Sequence, residues 1–380
     1  MDKLEKINVQ RIRSTAALHS LTLESLFSEL KIAGSTLATL NKTSSGLTYT
    51  QLSKIAGHLN SGVLYFMEPG EVDPEKMQSA QFRSLANQKP TISRKLKIII
   101  ENVESYRDIY LTLREYISEQ AMPFVPSQMP SDPAEAAAMA REWLDIPRQN
   151  SFTHTRAAIE RAGALVLRSN GYHGKWKVPD EDDVLGFSIH YDISPIIFIR
   201  KQTSEARQLF TLAHELGHLL LHKNHYIDGE AEFFSNAEHE VEANRFAGYF
   251  LVPDERLAEV SDRERPSNVA EYQQWLSPLT KSLGVSVETV LRRLLDSGRL
   301  SESNYVAYRS WVSKQISPQK EGGSRAYRHR EPHHLFGDQF VSAVIQSLQE
   351  NKISLVMASQ YLDNLKAEDV RKLEAYYEGN

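Results

Sequence analysis

Thr211-Leu-Ala-His214-Glu215-Leu-Gly-His218-Leu-Leu is the stretch from which the rest of the chain is read. Around it Ala206, Leu209, Phe210, Ala213, Leu216 and Leu220 recur at helical spacing and predict a helix with one buried face. Ser204 is placed to cap that helix, Glu205 falls in its first turn, and the pattern runs past Leu221. His214 and His218 stand four positions apart, so both imidazoles lie on one face and each can give a nitrogen to the same ion. Glu215 lies roughly 100° round the helix. That is beside an ion but off the ligand line, where a general base for water would stand. Burying two histidines and a glutamate on so apolar a helix is costly unless they are paired or bound to metal.

A catalytic zinc needs a third protein ligand and an open position. A metzincin would have glycine at 221 and histidine at 224, whereas this chain has Leu221 and Asn224. The alternative is a glutamate from a second helix. After a loop rich in glycine and acids from Asp228 to Glu232, a second helical run starts near Asn236 and offers Glu238, Glu240 and Glu242. Glu240 is favoured because Ala243 and Asn244 share its face, and Glu242 is next. A small residue lets two helices approach closely, and Asn244 could accept from the outer nitrogen of a ligand histidine. The glutamates not used as ligands read as a solvated acidic face. An oxyanion donor is also needed; His222, His225, Tyr226, Arg245 and Tyr249 are the candidates, and the spacing does not choose among them.

Residues 7–67 read as five short helices. Leu23-Glu-Ser-Leu-Phe-Ser-Glu-Leu-Lys-Ile-Ala-Gly-Ser-Thr-Leu is helix, tight turn, helix, with Ser35 or Thr36 suited to the second N-cap. This stretch resembles an XRE-type helix-turn-helix domain. DNA contact would fall to Ser35, Thr36, Thr39, Asn41 and Lys42, with no arginine placed to read guanine. Seven Lys/Arg against four Asp/Glu across 1–67 make a weak phosphate footprint, so a bundle serving protein contact competes with that reading. Leu96 to Gln120 reads as one long helix, with Leu96, Ile99, Val103, Tyr106, Tyr110, Leu113 and Ile117 close to a heptad. That face suits either a homodimer seam or packing within the chain. Four prolines between Met122 and Pro133 make a linker. Helices at Ala134–Leu144 and Thr155–Ala162 and strands at 164–168, 184–191 and 195–200 follow. Helix, Gly-Val-Ser turn and helix then occupy 270–295. Gln319 to Arg325 reads as a flexible linker, the histidine-rich 327–334 as a solvated loop, and 340–377 as amphipathic helices.

The expected fold is thus α+β and mainly helical. Its parts are a helix-turn-helix-like domain (1–70), a helical connector with a Pro-rich linker (71–130), a metal-bearing domain with a small mixed sheet and trailing helices (131–318), and a linker with a small helical domain (319–380). Zero cysteines exclude disulfides, thiolate zinc clusters and cysteine nucleophiles. A net charge of −5 gives no overall pull toward nucleic acid or anionic lipid. The start Met1-Asp-Lys-Leu-Glu-Lys lacks an apolar signal run, and no window has the 18 or so apolar residues of a membrane span. The expectation is a soluble cytoplasmic protein.

Phe210-Thr-Leu-Ala-His-Glu-Leu-Gly-His-Leu-Leu-Leu, the Glu240-x-x-Ala-Asn-x-Phe-Ala run and Pro253 together resemble the ImmA/IrrE family of zinc peptidases. The strand Ile196–Ile199, the XRE-like front end, Gln81-Phe-Arg-Ser and the long helix are also similar to it. The resemblance is specific over about 180–255 and looser elsewhere. It implies a gluzincin-type endopeptidase with His214, His218 and Glu240 on Zn2+ and Glu215 as base. It further implies action on helix-turn-helix repressors encoded nearby, in mobile elements or stress responses. Arg200 departs from the pattern, where asparagine is expected. Two other readings stay open: a DNA-binding transcriptional regulator that uses the metal fold as a sensor, and a toxin–antitoxin or phage-defence component that binds a neighbour.

Overall fold

The computed structural model describes residues 3–19, 21–70, 85, 88–89, 92–118, 123–124, 126, 128–171, 174–229, 231–232, 235, 237–315 and 329–378. The 81–84 motif, the 319–325 linker and residues 327–328 therefore lie outside the described residues. Contacts divide the chain into two units, Met1–Glu101 and Asn102–Asn380.

The first unit holds α1 (Val9–Leu18), α2 (Leu23–Glu29), α3 (Gly34–Thr43), α4 (Tyr49–His58) and a short 3-10 turn, Leu64–Phe66. Its core is built from the helical-period residues Ile12, Leu26, Phe27, Leu40, Leu52, Ile55 and Phe66. Thr22 and Thr48 each close a capping box, with Ser25 and Gln51. α3 differs from expectation. It begins two or three residues earlier than a Ser35 or Thr36 cap would allow, and its cap position is Ala33, with no side-chain bond. Ser35 instead accepts the Thr39 hydroxyl through its carbonyl, and Asn41 accepts from Arg13.

His19 is buried in this unit, with Nε2 placed 3.3 Å from the Leu59 carbonyl to donate to it. Burial, and then the charge of Arg94, hold its pKa down at about 4. Between that value and the ordinary 6.5, the unfolded chain takes up a proton that the folded chain refuses. Stability from this group is therefore present above the window and lost as pH falls through it. Wild type should lose on the order of 2–3 kcal/mol between about pH 6.5 and pH 4 from this source. His19→Gln keeps the donor to Leu59 and should flatten that part of the curve. Urea midpoints against pH check it, and identical slopes for the two proteins would refute it.

The second unit carries a four-stranded sheet in the order β1-β3-β2-β4: β1 (Leu165–Arg168), β2 (Val184–Ile189), β3 (Ile196–Ile199) and β4 (Tyr226–Gly229). β1 and β3 are parallel, and the other pairs are antiparallel. All four residues of β3 are buried, as a continuous apolar run predicts for a central strand. The fourth strand is not among those expected from the sequence, where Asp228 and Gly229 read as the start of a loop. Arg200, just past β3, donates to the carbonyls of Pro179, Asp182 and Val184 and so ties down the segment entering β2.

α5 (Arg94–Tyr116) is the long helix expected from 96 onward. Its heptad positions Leu96, Ile99, Val103, Tyr106, Tyr110 and Leu113 are buried within the chain. Tyr106 stacks on Phe336 at 4.5 Å and meets Trp176 edge-on, and Tyr110 faces Phe340. That face packs inside the protein and is not an open dimer seam. α6 (Pro133–Trp143) is capped by Asp132, and α7 (Phe152–Arg161) by Ser151. α10 (Asp254–Leu257), α11 (Tyr272–Leu283), α12 (Val287–Asp296) and α13 (Glu302–Val312) precede α14 (Glu331–Gln349), whose first turn holds His333 and His334, so they are not in a solvated loop. Pro332 at the helix start explains the change, because its fixed φ suits a first turn. The start of α14 packs against α7 in this unit: Arg156 donates to the carbonyls of His333, His334 and Leu335, and Glu160 accepts the Asp338 N–H.

Candidate metal centre

The predicted motif helix is α8 (Glu205–Gly217), capped by Ser204, and it continues as a widened π-turn from His218 to His222. α9 (Glu238–Leu251) crosses it closely. Two small residues make the approach possible. A Cβ at Gly217 would lie 3.0 Å from Phe246 and 3.4 Å from the Ala243 backbone. Glu240 lies one turn before Ala243 on the same helix, so this packing carries its carboxylate to the histidines.

His214, His218, Asp228 and Glu240 each offer one ligand atom, all within 4.8 Å of one another. The two Nε2 atoms are 3.0 Å apart. Glu240 brings one oxygen to 3.4 Å from His214 Nε2 and the other to 3.7 Å from His218 Nε2. Asp228 Oδ2 is 3.4 Å from His218 Nε2 and 3.8 Å from His214 Nε2. Of the three competing glutamates, Glu238 is exposed and Glu242 turns aside to His222.

His218 is held from behind. Its Nδ1 is 3.0 Å from His222 Nδ1, and His222 Nε2 is 3.0 Å from Glu242 Oε2. With His222 donating to Glu242, the His222 Nδ1 is left as an acceptor for the His218 Nδ1–H. The relay leaves the His218 Nε2 lone pair aimed inward, as a metal ligand needs. Burial, then the neighbouring His214, His222 and His239, push the His218 pKa well below the usual histidine value, so the ring is neutral. The outer nitrogen of His218 is thus taken by His222. Asn244 lines a groove with Leu185, Phe210, Thr211, Arg292 and Tyr305 beside α8.

Glu215 is fully buried under β2. Burial, then the charge of Asp228, raise its pKa well above the ordinary carboxylate range; Glu240 adds to this and a Ser188 hydrogen bond opposes it. β2 can pass so close only because residue 186 is glycine. A Cβ there would lie 2.6 Å from Glu215 Oε1, 2.8 Å from Thr211 Cγ2 and 3.1 Å from the Phe198 carbonyl. Gly186→Ala should therefore push Glu215 aside while leaving the ligand atoms in place. A misplaced catalytic group costs about 10²-fold, so any reaction that uses Glu215 as its base should slow by that order at unchanged metal content. Loss of metal in parallel with activity would contradict this account.

The remaining expected donors separate. Tyr226 stacks on His218 at 4.0 Å, beside the cluster. His222 is taken up in the relay, and His225 Nδ1 accepts the His190 N–H. Arg245 is close enough to Asp296 to act on its charge, and Tyr249 lies under the guanidinium of Arg293 at 3.5 Å. The structure does not bring these last two to the histidines. Asp228 is the residue that sequence reasoning missed.

Three carboxylates (Glu215, Asp228 and Glu240) are buried around two imidazole nitrogens, and Glu240 Oε2 has no hydrogen-bond partner among the described residues. Such convergence of anionic and lone-pair donors repels itself unless a cation or shared protons fill it. The residues thus fit a divalent ion bound by nitrogen and oxygen.

With this geometry in hand, comparison with known proteins adds two findings. Residues 159–295 match the model of peptidase family M78, described as the IrrE N-terminal-like domain. Over 132 residues, 32% of this chain, the sequence is 29% identical to 82% of a protein called Uncharacterized immunity region protein 2 from Bacillus phage phi105.

Proposed function

We propose that the chain is a zinc-dependent endopeptidase of the gluzincin type acting on a regulatory protein, such as a helix-turn-helix repressor encoded beside it. The observation that carries this reading is the convergence of His214, His218 and Glu240 beside Glu215, inside the stretch that matches a peptidase family. The immunity-region name of the phage relative supports a regulatory protein as the target. His214, His218 and Glu240 would hold the ion, which when bound supplies Lewis acidity toward water and the scissile carbonyl.

The chain's own residues supply the rest. Glu215, with its raised pKa, takes a proton from water and returns it to the leaving amine. The Glu242–His222 pair fixes the His218 ring. Tyr226 lays its ring on His218 and covers that side of the centre. The groove beside Phe210 and Thr211 would take a substrate side chain. The test measures bound zinc by mass spectrometry and repressor cleavage on gels, for wild type and Glu215→Gln together. A wild-type protein that holds no zinc would end this reading.

A further inference from the structure

We propose that Asp228 is a resident fourth ligand, a carboxylate plug that keeps the centre closed until the strand bearing it is drawn away. This rests on the metal reading above. An open catalytic site leaves one position for water, between the ion and the general base. Here Asp228 Oδ2 stands as close to the two Nε2 atoms, at 3.4 and 3.8 Å, as Glu240 does at 3.4 and 3.7 Å. It also faces Glu215, on which it exerts the largest charge effect of any neighbour. The side that water must enter is thus filled by a buried side chain. Two histidines, a glutamate and an aspartate complete four positions, the count of a closed site.

The backbone makes this placement deliberate. Asp228 pairs with Gly186 beyond a register shift between Val184 and Gly186. The shift lies at the glycine that leaves room for Glu215, and such irregularities re-aim a side chain. Tyr226, two residues earlier and so on the same face of the strand, stacks on His218 and on His239 at 5.0 Å. One four-residue segment therefore carries both the plug and the ring that covers a ligand histidine. β4 ends the sheet order, and among the described strands it pairs with β2 alone. Opening needs only this short edge strand to move, the kind of edge at which an extended peptide pairs.

The test uses the full chain loaded with Co(II), whose visible absorption reports coordination, with azide as the entering ligand. The wild-type spectrum should be that of a four-coordinate ion and should not respond to azide. Asp228→Asn keeps the shape but is a poor ligand; its spectrum should shift on substitution and shift again, saturably, with azide. Azide binding by wild type overturns the plug, even if the variant fails to fold. Coincident wild-type and Asp228→Asn spectra also overturn it. His214→Ala separates the two levels. If it binds Co(II) as wild type does, the metal reading itself is wrong and the plug falls with it. If it loses Co(II) while wild type takes azide, the metal reading stands and only the plug is lost.

Discussion

Glu215→Gln should keep its full complement of zinc and lower cleavage by about 10²–10⁴-fold. That is about 3–5 kcal/mol of transition-state stabilisation. Glutamine fills the same space under Gly186 but cannot take a proton. The atoms of His214, His218 and Glu240 are untouched, so metal content isolates the base from the ligands. The change also removes one of three buried carboxylates, and with it repulsion from Asp228 and Glu240. Thermal stability should therefore hold or rise while activity falls. Loss of zinc would make Glu215 a ligand, and unchanged cleavage would remove its role as base.

The convergence of His214 and His218 was legible because a fixed spacing on a helix is a statement about direction in space. Glu240 was legible for a second reason. Ala243 marked the face of α9 that could come close, and the structure uses that face against Gly217. Asp228 was hidden for the opposite reason. Tyr226-Ile-Asp-Gly has the aspartate and glycine that strands usually lack, so it reads as a turn. Only the non-local pairing with β2 makes it a strand and turns Asp228 inward. The long helix shows a related ambiguity. Its 3-4 spacing describes a buried face without saying whose surface buries it, and Tyr106 and Tyr110 are met by this chain's own Trp176, Phe336 and Phe340. The N-cap of α3 was misplaced because serine and threonine are good caps, yet the turn closes at Ala33.

The largest effect on stability is expected at Gly337, where the residues read as a separate C-terminal domain join the rest. Gly337 interrupts α14 with φ 84° and ψ 171°, a region essentially closed to residues with a Cβ. A Cβ there would also fall on the Glu160 carboxylate. That carboxylate is held in place: it accepts from Arg156 Nε at 2.8 Å and from the Asp338 N–H at 2.9 Å, and it is buried. Backbone strain of about 1–3 kcal/mol adds to disruption of a buried ion pair, itself worth about 3–5 kcal/mol when one partner is stranded. Partial relaxation should leave Gly337→Ala about 3–5 kcal/mol less stable in urea. Gly298→Ala is the control, since its φ is also positive, at 69°, but nothing lies within 4 Å of the added carbon. It should cost about 1 kcal/mol. Equal losses in the two variants would mean that the Arg156–Glu160 grip does not hold α14. The same experiment tests how the trailing helices relate to the metal centre. α7 carries Arg156 and Glu160, and it packs against β1 and α8 of the site-bearing layer. If α14 is part of that layer, Gly337→Ala should unfold in one transition and release its metal at the same urea concentration. Helices 331–378 melting first, with metal still bound, would make them an independent domain after all.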